Sequence, residues 1–424
     1  MLLDDHQRLY LSQLRRKLHA LPEPGFLEIN TANELYHILK SLNFDLEIGE
    51  AVMDTQYMMG RPNDTVLNEH IAFLEQNHFT IEKFKDGLTG IVATKEFEEP
   101  GPTLAFRFDI DALPIKESDS NHHQPYKANF ISKHEGFMHA CGHDAHMTMG
   151  IGLAQLINLN HLNKGRIKLI FQPAEEGVRG ALSMVKKGVV DDVDHFFATH
   201  IGLNGKSNEI ITSIEGFMAS TKYDLFIYGE SSHAGANPQD GSNSILAAAT
   251  LIQQLYAIQR HEKGDSRINV GKINGGSSRN IIADEVKLEI EVRGMNNEVN
   301  QFMNDRVTDI IKGIENMFNV NIVQNKVGEA PSILPSKKLK ETVYQLISNV
   351  MSELNITKDE TTPSGSEDAT YFIERVQELG NEGLYLNVGS DHQFNHHHPQ
   401  FDIVEQDIFN GIDVLYTIAK HFNG

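Results

Sequence analysis

Met138-His139-Ala140-Cys141-Gly142-His143-Asp144-Ala145-His146 is the stretch on which the reading of this chain turns. It holds the one cysteine among 424 residues, two positions from a histidine, with a glycine between them. A thiolate and an imidazole at that spacing can both reach one metal ion, and the glycine lets the backbone fold tightly enough to allow it. A buried cysteine beside surface histidines is the bland alternative. Further candidate ligands downstream weaken it.

Working outward, several segments share one form, an apolar run that ends in candidate ligands. Residues 166–171 (RIKLIF) read as a strand followed by Gln172-Pro173-Ala174-Glu175-Glu176-Gly177. Residues 193–199 read as a strand that delivers His200. Residues 103–108 (TLAFRF) end at Asp109-Ile110-Asp111, and residues 383–388 precede Gly389-Ser390-Asp391, with His396-His397-His398-Pro399 soon after. In open α/β sheets, ligands bind beyond the carboxyl ends of the strands. Strands that each release His, Glu or Asp at that end therefore converge on one shared site, as a metal hydrolase requires.

The length allows two or three domains with a sizeable core. A formal net charge of −21 argues against nucleic acid and anionic membranes as partners. A lone cysteine excludes an intrachain disulfide and fits a reducing cytoplasm. The first residues show no basic segment leading into an apolar one, so no signal peptide is read. No run of about 18 apolar residues is present to span a membrane.

Residues 5–42 read as two helices broken at Leu21-Pro22-Glu23-Pro24-Gly25, with Leu11, Leu14 and Leu18 on one face. Residues 50–87 are irregular apart from a helix near Val66 to Asn77. After Ile214 the composition shifts. The order becomes strand (222–229), helix (243–260), strand (267–273), strand (285–292), helix (297–317) and strand (320–325), that of a ferredoxin-like unit. The expected division is 1–214 with 331–424 as one discontinuous domain and 215–330 as an inserted satellite. A helix at 338–354 resumes the first domain, and 361–366 reads as a loop.

The segments HACGHDAH (139–146), FQPAEEG (171–177), ATHIG (198–202), SHAGANPQDG (232–241) and HHHPQF (396–401) resemble the dinuclear-metal amidohydrolases. That family includes carboxypeptidase G, the aminoacylases, hippurate hydrolase and the plant indoleacetyl-amino-acid hydrolases. The resemblance runs from Leu14 to Asp402. Stretches outside the metal motifs, including 88–94, 188–194 and 365–370, are similar to its aminobenzoyl-glutamate branch. It implies an α/β catalytic domain with a mixed sheet flanked by helices, plus an inserted ferredoxin-like α+β dimerisation domain.

The resemblance implies five metal ligands, Cys141, His143, Glu176, His200 and His397, the last because the family's ligand lies four residues before a phenylalanine, here Phe401. It implies two divalent ions in each copy of the chain. The thiolate favours zinc, and the nitrogen and oxygen ligands tolerate manganese. Glu175 matches the general base and later acid. Asp111, just past its strand, is read as orienting a ligand imidazole, and Asp109 is an alternative for that role. His139 and His146 are read as capping or packing. In the satellite, His233 resembles a histidine that reaches a neighbouring protomer's site to stabilise an oxyanion. Asn280 and Arg293 resemble the residues that bind a substrate carboxylate.

The expected activity is hydrolysis of the amide bond of an N-acyl amino acid, with p-aminobenzoyl-glutamate as the first substrate to test. General aminoacylase or hippurate-type activity is the alternative within the family. A non-catalytic chain that lends its satellite to a partner is the alternative outside it, and the intact ligand set with Glu175 argues against that. The expected assembly is a homodimer or a heterodimer with a related second chain. The 50–87 segment resembles an insertion that either covers the site or a partner, or is surface elaboration. A contact to the side-chain carboxylate of glutamate is left open among Lys222, Arg279 and that insertion.

Overall fold

The computed structural model describes residues 2–79, 81–160, 162–361 and 365–424. Thr362, Pro363 and Ser364 fall outside it, and with them half of the loop expected at 361–366. Among the described residues the strands are β1 (Asp45–Ile48), β2 (Ile91–Glu96), β3 (Glu99–Asp109), β4 (Lys164–Gln172), β5 (His195–Ile201), β6 (Glu209–Ile211), β7 (Ile214–Glu215), β8 (Ala219–Tyr228), β9 (Ser266–Gly275), β10 (Glu285–Gly294), β11 (Asn321–Ala330), β12 (Asn355–Thr357), β13 (Glu360–Thr361) and β14 (Glu382–Val388).

Two compact units are formed. Met1–Glu215, Leu334–Thr362 and Asp368–Gly424 make the first, and Gly216–Ile333 with Pro363–Glu367 the second. The sequence reading put 365–367 with the first unit. Met218 explains the difference: its N–H donates to Gly365 O at 2.8 Å, and its carbonyl accepts from Ser366 Oγ at 3.0 Å.

The first unit is built on a mixed sheet ordered β1-β2-β4-β3-β5-β14-β6-β12. Its centre, β4-β3-β5-β14, is parallel, while β1 and β2 run antiparallel at one side. Strands buried on both faces need continuous apolar runs, which 104–108 and 167–171 supply apart from Arg107 and Lys168, and all ten side chains are buried. The helix His143–Leu159 packs on this sheet, and 14 of its 17 residues are buried. Beyond its first turn, which carries His143, Asp144 and His146, it is largely apolar, as a helix enclosed by other elements must be. The helices Asp5–His19 and Glu405–Asn423 pack against it. Parallel central strands bring Asp109, Gln172 and His200 to one edge, since Asp109 pairs with Gln172, and His200 with Asn387 of β14.

The second unit is a four-stranded antiparallel sheet ordered β11-β8-β10-β9, with the helices Ser244–Tyr256 and Asn297–Phe318. Alternating residues of β8 and β10, such as Leu225, Ile227, Leu288 and Ile290, enter its core with Leu251, Val307 and Ile311 of the helices. β9 and β11 are its edges. Among the described residues no helix is long and apolar enough to cross a membrane.

Candidate metal centre

Cys141 and Gly142 lie at the start of the helix His143–Leu159. Gly142 caps it with φ +88°, and a Cβ there would meet Ile201 Cγ2 at 2.9 Å. Only glycine takes that conformation in that space without strain. The turn places Cys141 Sγ 3.5 Å from His200 Nε2. A helix N-terminus also favours negatively charged groups beside it.

Each imidazole is aimed by its far nitrogen. His143 Nδ1 donates to Asp111 O at 2.8 Å, and His200 Nδ1 to Ile201 O at 2.9 Å. Both Nε2 atoms are thereby turned toward the cysteine. Burial alone would make His143 less basic. Asp109, Asp111 and Glu176 outweigh it and bring the ring to about 10. A cation held at Nε2 would take the place of that proton. His200 moves the other way, well below the usual range, through burial and then the neighbouring His146 and His396.

After β4 the chain makes an irregular turn, with Ala174, Gly177 and Val178 all at positive φ. This lets adjacent residues Glu175 and Glu176 both face the centre. Asp111 holds the turn. Its Oδ1 accepts from Glu175 N at 3.1 Å and its Oδ2 from Glu176 N at 2.9 Å. His397 adopts φ +65°, uncommon for a side-chain-bearing residue, and its N–H donates to Ala140 O at 2.8 Å. That brings His397 Nε2 to 3.4 Å from Glu176 Oε1.

Two donor groups result, Cys141/His143/His200 and Cys141/Glu176/His397, each with its atoms within 4.8 Å of one another. They share the sulfur. Glu175 groups with His143 and Glu176 in the same way, with its Oε2 3.9 Å from His143 Nε2. The arrangement fits divalent cations: His143 Nε2 and Glu176 Oε1 are buried with no hydrogen-bond partner, a costly state unless a ligand completes them.

The flanking histidines are otherwise engaged. His146 bonds Asp109 through Nδ1 and accepts from Ile201 N through Nε2, so neither nitrogen is open. His396 Nε2 donates to Ile201 O at 3.2 Å, and His398 stacks on Phe394 with centroids 4.3 Å apart. His139 is buried, both its nitrogens lack a hydrogen-bond partner, and burial pushes it down to about 3.

Beneath the centre lies a buried network that sequence reasoning missed. Arg107 Nη1 donates to Asp109 at 2.8 Å, its Nε to Gln172 Oε1 at 2.7 Å, and its Nη2 to Asp368 at 3.3 Å. Asp368 also accepts from Gly180 N and Ala181 N, at the start of the helix Ala181–Lys186. An arginine inside the apolar run 104–108 was the available signal, because a buried guanidinium requires carboxylate partners. A second network, Arg15–Asp144–His19–Glu117–His123, fixes the other side of the helix His143–Leu159.

Within the second unit, His233 Nδ1 accepts from Gly235 N at 3.1 Å and Ala236 N at 3.0 Å. Its proton is thus on Nε2, which makes the exposed ring a donor. Asn280 lies alongside, its carbonyl accepting from Ala234 N at 3.0 Å. Arg293 is elsewhere. It sits near the far end of β10, donates to Glu291 at 2.9 Å, and is separated from the start of that strand by roughly 25 Å at the rise of a β-strand. In one protomer Asn280 and Arg293 therefore do not meet.

A mixed sheet whose parallel centre has carboxylate, imidazole and thiolate donors at its carboxyl edge is the arrangement of a metal-dependent hydrolase. Residues 105–421 match the model of peptidase family M20/M25/M40, and the chain belongs to that family as a metal-dependent amidohydrolase. It is 38% identical to the indole-3-acetyl-aspartic acid hydrolase of Enterobacter agglomerans, over 97% of this chain and 95% of that one. It is also 38% identical to one of the named subunits of p-aminobenzoyl-glutamate hydrolase from Escherichia coli (strain K12), with the same coverage. The crystal structure of the aminobenzoyl-glutamate utilization protein from Klebsiella pneumoniae superposes with a TM-score of 0.83 at 33% identity, covering 99% of this chain and 98% of that one.

Proposed function

We propose that this protein hydrolyses the amide bond of p-aminobenzoyl-glutamate, releasing p-aminobenzoate and glutamate. The observation that carries the reading is the pair of donor groups Cys141/His143/His200 and Cys141/Glu176/His397, with Glu175 beside His143 and Glu176, in a chain similar along its length to enzymes named for acyl-glutamate and acyl-aspartate. The two donor groups would hold two divalent ions, manganese or zinc. Such ions supply Lewis acidity that polarises the amide carbonyl and acidifies water. Glu175 accepts the proton of the attacking water and returns it to the departing amine. His143 and His200 stay oriented through their Nδ1 bonds, and Asp111 keeps the Glu175–Glu176 turn in place.

Kinetics with added Mn2+ or Zn2+ on p-aminobenzoyl-glutamate, indole-3-acetyl-aspartate, hippurate and N-acetyl-glutamate test the proposal. The expected result is the highest kcat/KM on p-aminobenzoyl-glutamate. Equal values on hippurate would replace this reading with a general aminoacylase, and the highest value on indole-3-acetyl-aspartate would make that compound the substrate.

The proposed active unit is a dimer, with a second copy or a related second chain. Because Asn280 precedes β10 and Arg293 lies near the far end of that strand, a carboxylate held by both needs one from each protomer. His233 travels with Asn280 and would stabilise the oxyanion in its partner's site. The edge strand β9 exposes Ile273, and the helix Ser244–Tyr256 exposes Ile245, Leu246 and Tyr256. Such an apolar edge is normally covered. In a homodimer, mixing inactive Glu175→Gln with inactive His233→Ala should restore part of the activity, since each mixed pair has one site with both residues intact. No recovery despite demonstrated exchange of protomers would rule out action across the interface.

A further inference from the structure

We infer that Arg179 is a specificity residue that binds the side-chain carboxylate of an acidic leaving amino acid. The inference rests on the acyl-amino-acid reading above and deepens it. Arg179 follows the Glu175–Glu176 turn by three residues and folds back on it, its Nε donating to Glu176 O at 2.9 Å. Its Nη1 donates to Gly60 O at 3.3 Å. The guanidinium sits 5.5 Å from the centroid of the Phe26 ring. Beside it, a Cβ on Gly25 would come within 2.3 Å of Nη2, so the absence of a side chain there leaves room for the group.

What the site lacks is an anion. Among the described residues Arg179 forms hydrogen bonds to carbonyls only, and no carboxylate pairs with it. The other arginine close to this turn, Arg107, is committed to Asp109 and Asp368. A guanidinium has five N–H donors, and the two carbonyl bonds leave a planar fork suited to a carboxylate. It stands on the same short turn as the proposed base and a proposed ligand. A substrate whose scissile amide is at Glu175 would therefore extend its side chain within reach of a cation that the protein has not neutralised. Lys222, weighed for this contact from sequence, lies 3.8 Å from Glu291.

The 50–87 segment gains a role from this placement. Asp54 N donates to Ser183 O at 3.1 Å, Ser183 Oγ donates back to Asp54 O at 3.0 Å, and Met59 N reaches Arg179 O at 3.5 Å. The segment is docked along 179–183, and its Gly60 carbonyl fixes one arm of the guanidinium. Held from both sides, Arg179 loses little freedom when it binds an anion, which is the benefit of preorganisation.

The test compares p-aminobenzoyl-glutamate with p-aminobenzoyl-glutamine, which keeps the α-carboxylate and nearly the same shape but has an uncharged side chain, on the full-length metal-loaded protein. The readout is the ratio of kcat/KM for the two. In Arg179→Ala that ratio should fall by at least about 30-fold, the lower end for truncating one partner of a charge pair, with most of the change in KM for the glutamate compound. Arg179→Gln, which retains a donor for a carbonyl of the turn without the charge, should lower the ratio as well and covers the case in which Arg179→Ala does not fold. If both compounds lose activity in proportion, the ratio stands, Arg179 only pins the turn, and the inference is overturned. A wild-type ratio above one that survives both substitutions also overturns it while leaving the proposed function intact. A wild-type ratio near one would remove the acidic-substrate reading and this inference together.

Discussion

Glu175→Gln should lower kcat by at least about 100-fold and leave the metal content of the protein unchanged. The two glutamates are neighbours in sequence, and Asp111 secures both of their backbone N–H groups through one carboxylate. Both side chains can join His143 in one group, but only Glu176 also joins the group that holds the sulfur. Glu176 groups with Cys141 and His397, whereas Glu175 has its Oε2 3.9 Å from His143 Nε2, an atom without a hydrogen bond. Glutamine preserves shape and the ability to pack in that turn but cannot take up a proton. Catalysis is therefore lost while the donors remain. Glu176→Gln replaces a charged donor by a neutral one and should weaken metal binding, with activity restored in part at higher metal concentration. Metal titration and steady-state kinetics on both variants separate the roles. Loss of metal in Glu175→Gln with retention in Glu176→Gln would mean that the two have exchanged roles.

The sequence made the carboxyl-edge arrangement legible because each strand there is a short apolar run with a ligand type at its end, and parallel pairing brings such ends together. The β-α-β-β-α-β order after Ile214 was equally open to periodicity. Local conformation was less so. His200 lies inside β5 rather than after it, since edge positions of a strand are not marked by composition. The sequence left the orienting role open between Asp111 and Asp109; in the structure His143 Nδ1 bonds the backbone carbonyl of Asp111, whose carboxylate holds the turn after β4, where Ala174 and Val178 share positive φ with Gly177. Asp109 instead serves Arg107 and His146. The network through Asp368 joins residues up to 261 positions apart, and no local pattern encodes such a pairing. Arg179 escaped attention because an arginine in a polar turn is ordinarily solvated. Its significance lies in what surrounds it, the carbonyls of Glu176 and Gly60 without a carboxylate.

Cys141→Ser tests whether the sulfur belongs to both metal positions. The two donor groups overlap in Cys141 alone. His143 and His200 belong only to the first, Glu176 and His397 only to the second. If each group holds one ion, removing His200 or His397 should weaken one position and spare part of the other. Removing the thiolate should weaken both, because serine at neutral pH offers an uncharged, hard and weakly donating oxygen where a soft anionic sulfur stood. The expected order of metal content after dialysis is therefore wild type, then His200→Ala and His397→Ala at intermediate levels, then Cys141→Ser lowest. Activity should fall at least as steeply, since the proposed chemistry needs both ions. Folding offers a control: Cys141 precedes the helix His143–Leu159, which Gly142 and the Arg15–Asp144–His19 network hold independently of any metal. The metal-poor variant should thus keep its helical circular dichroism signal, and a two-state loss of fold would attribute the effect to packing instead. Full activity in Cys141→Ser with undiminished metal would remove the sulfur from both groups and leave Asp109, His143 and His146 as the competing set. The two nitrogen bonds already made by His146 argue against that set, because a metal there would have to displace both.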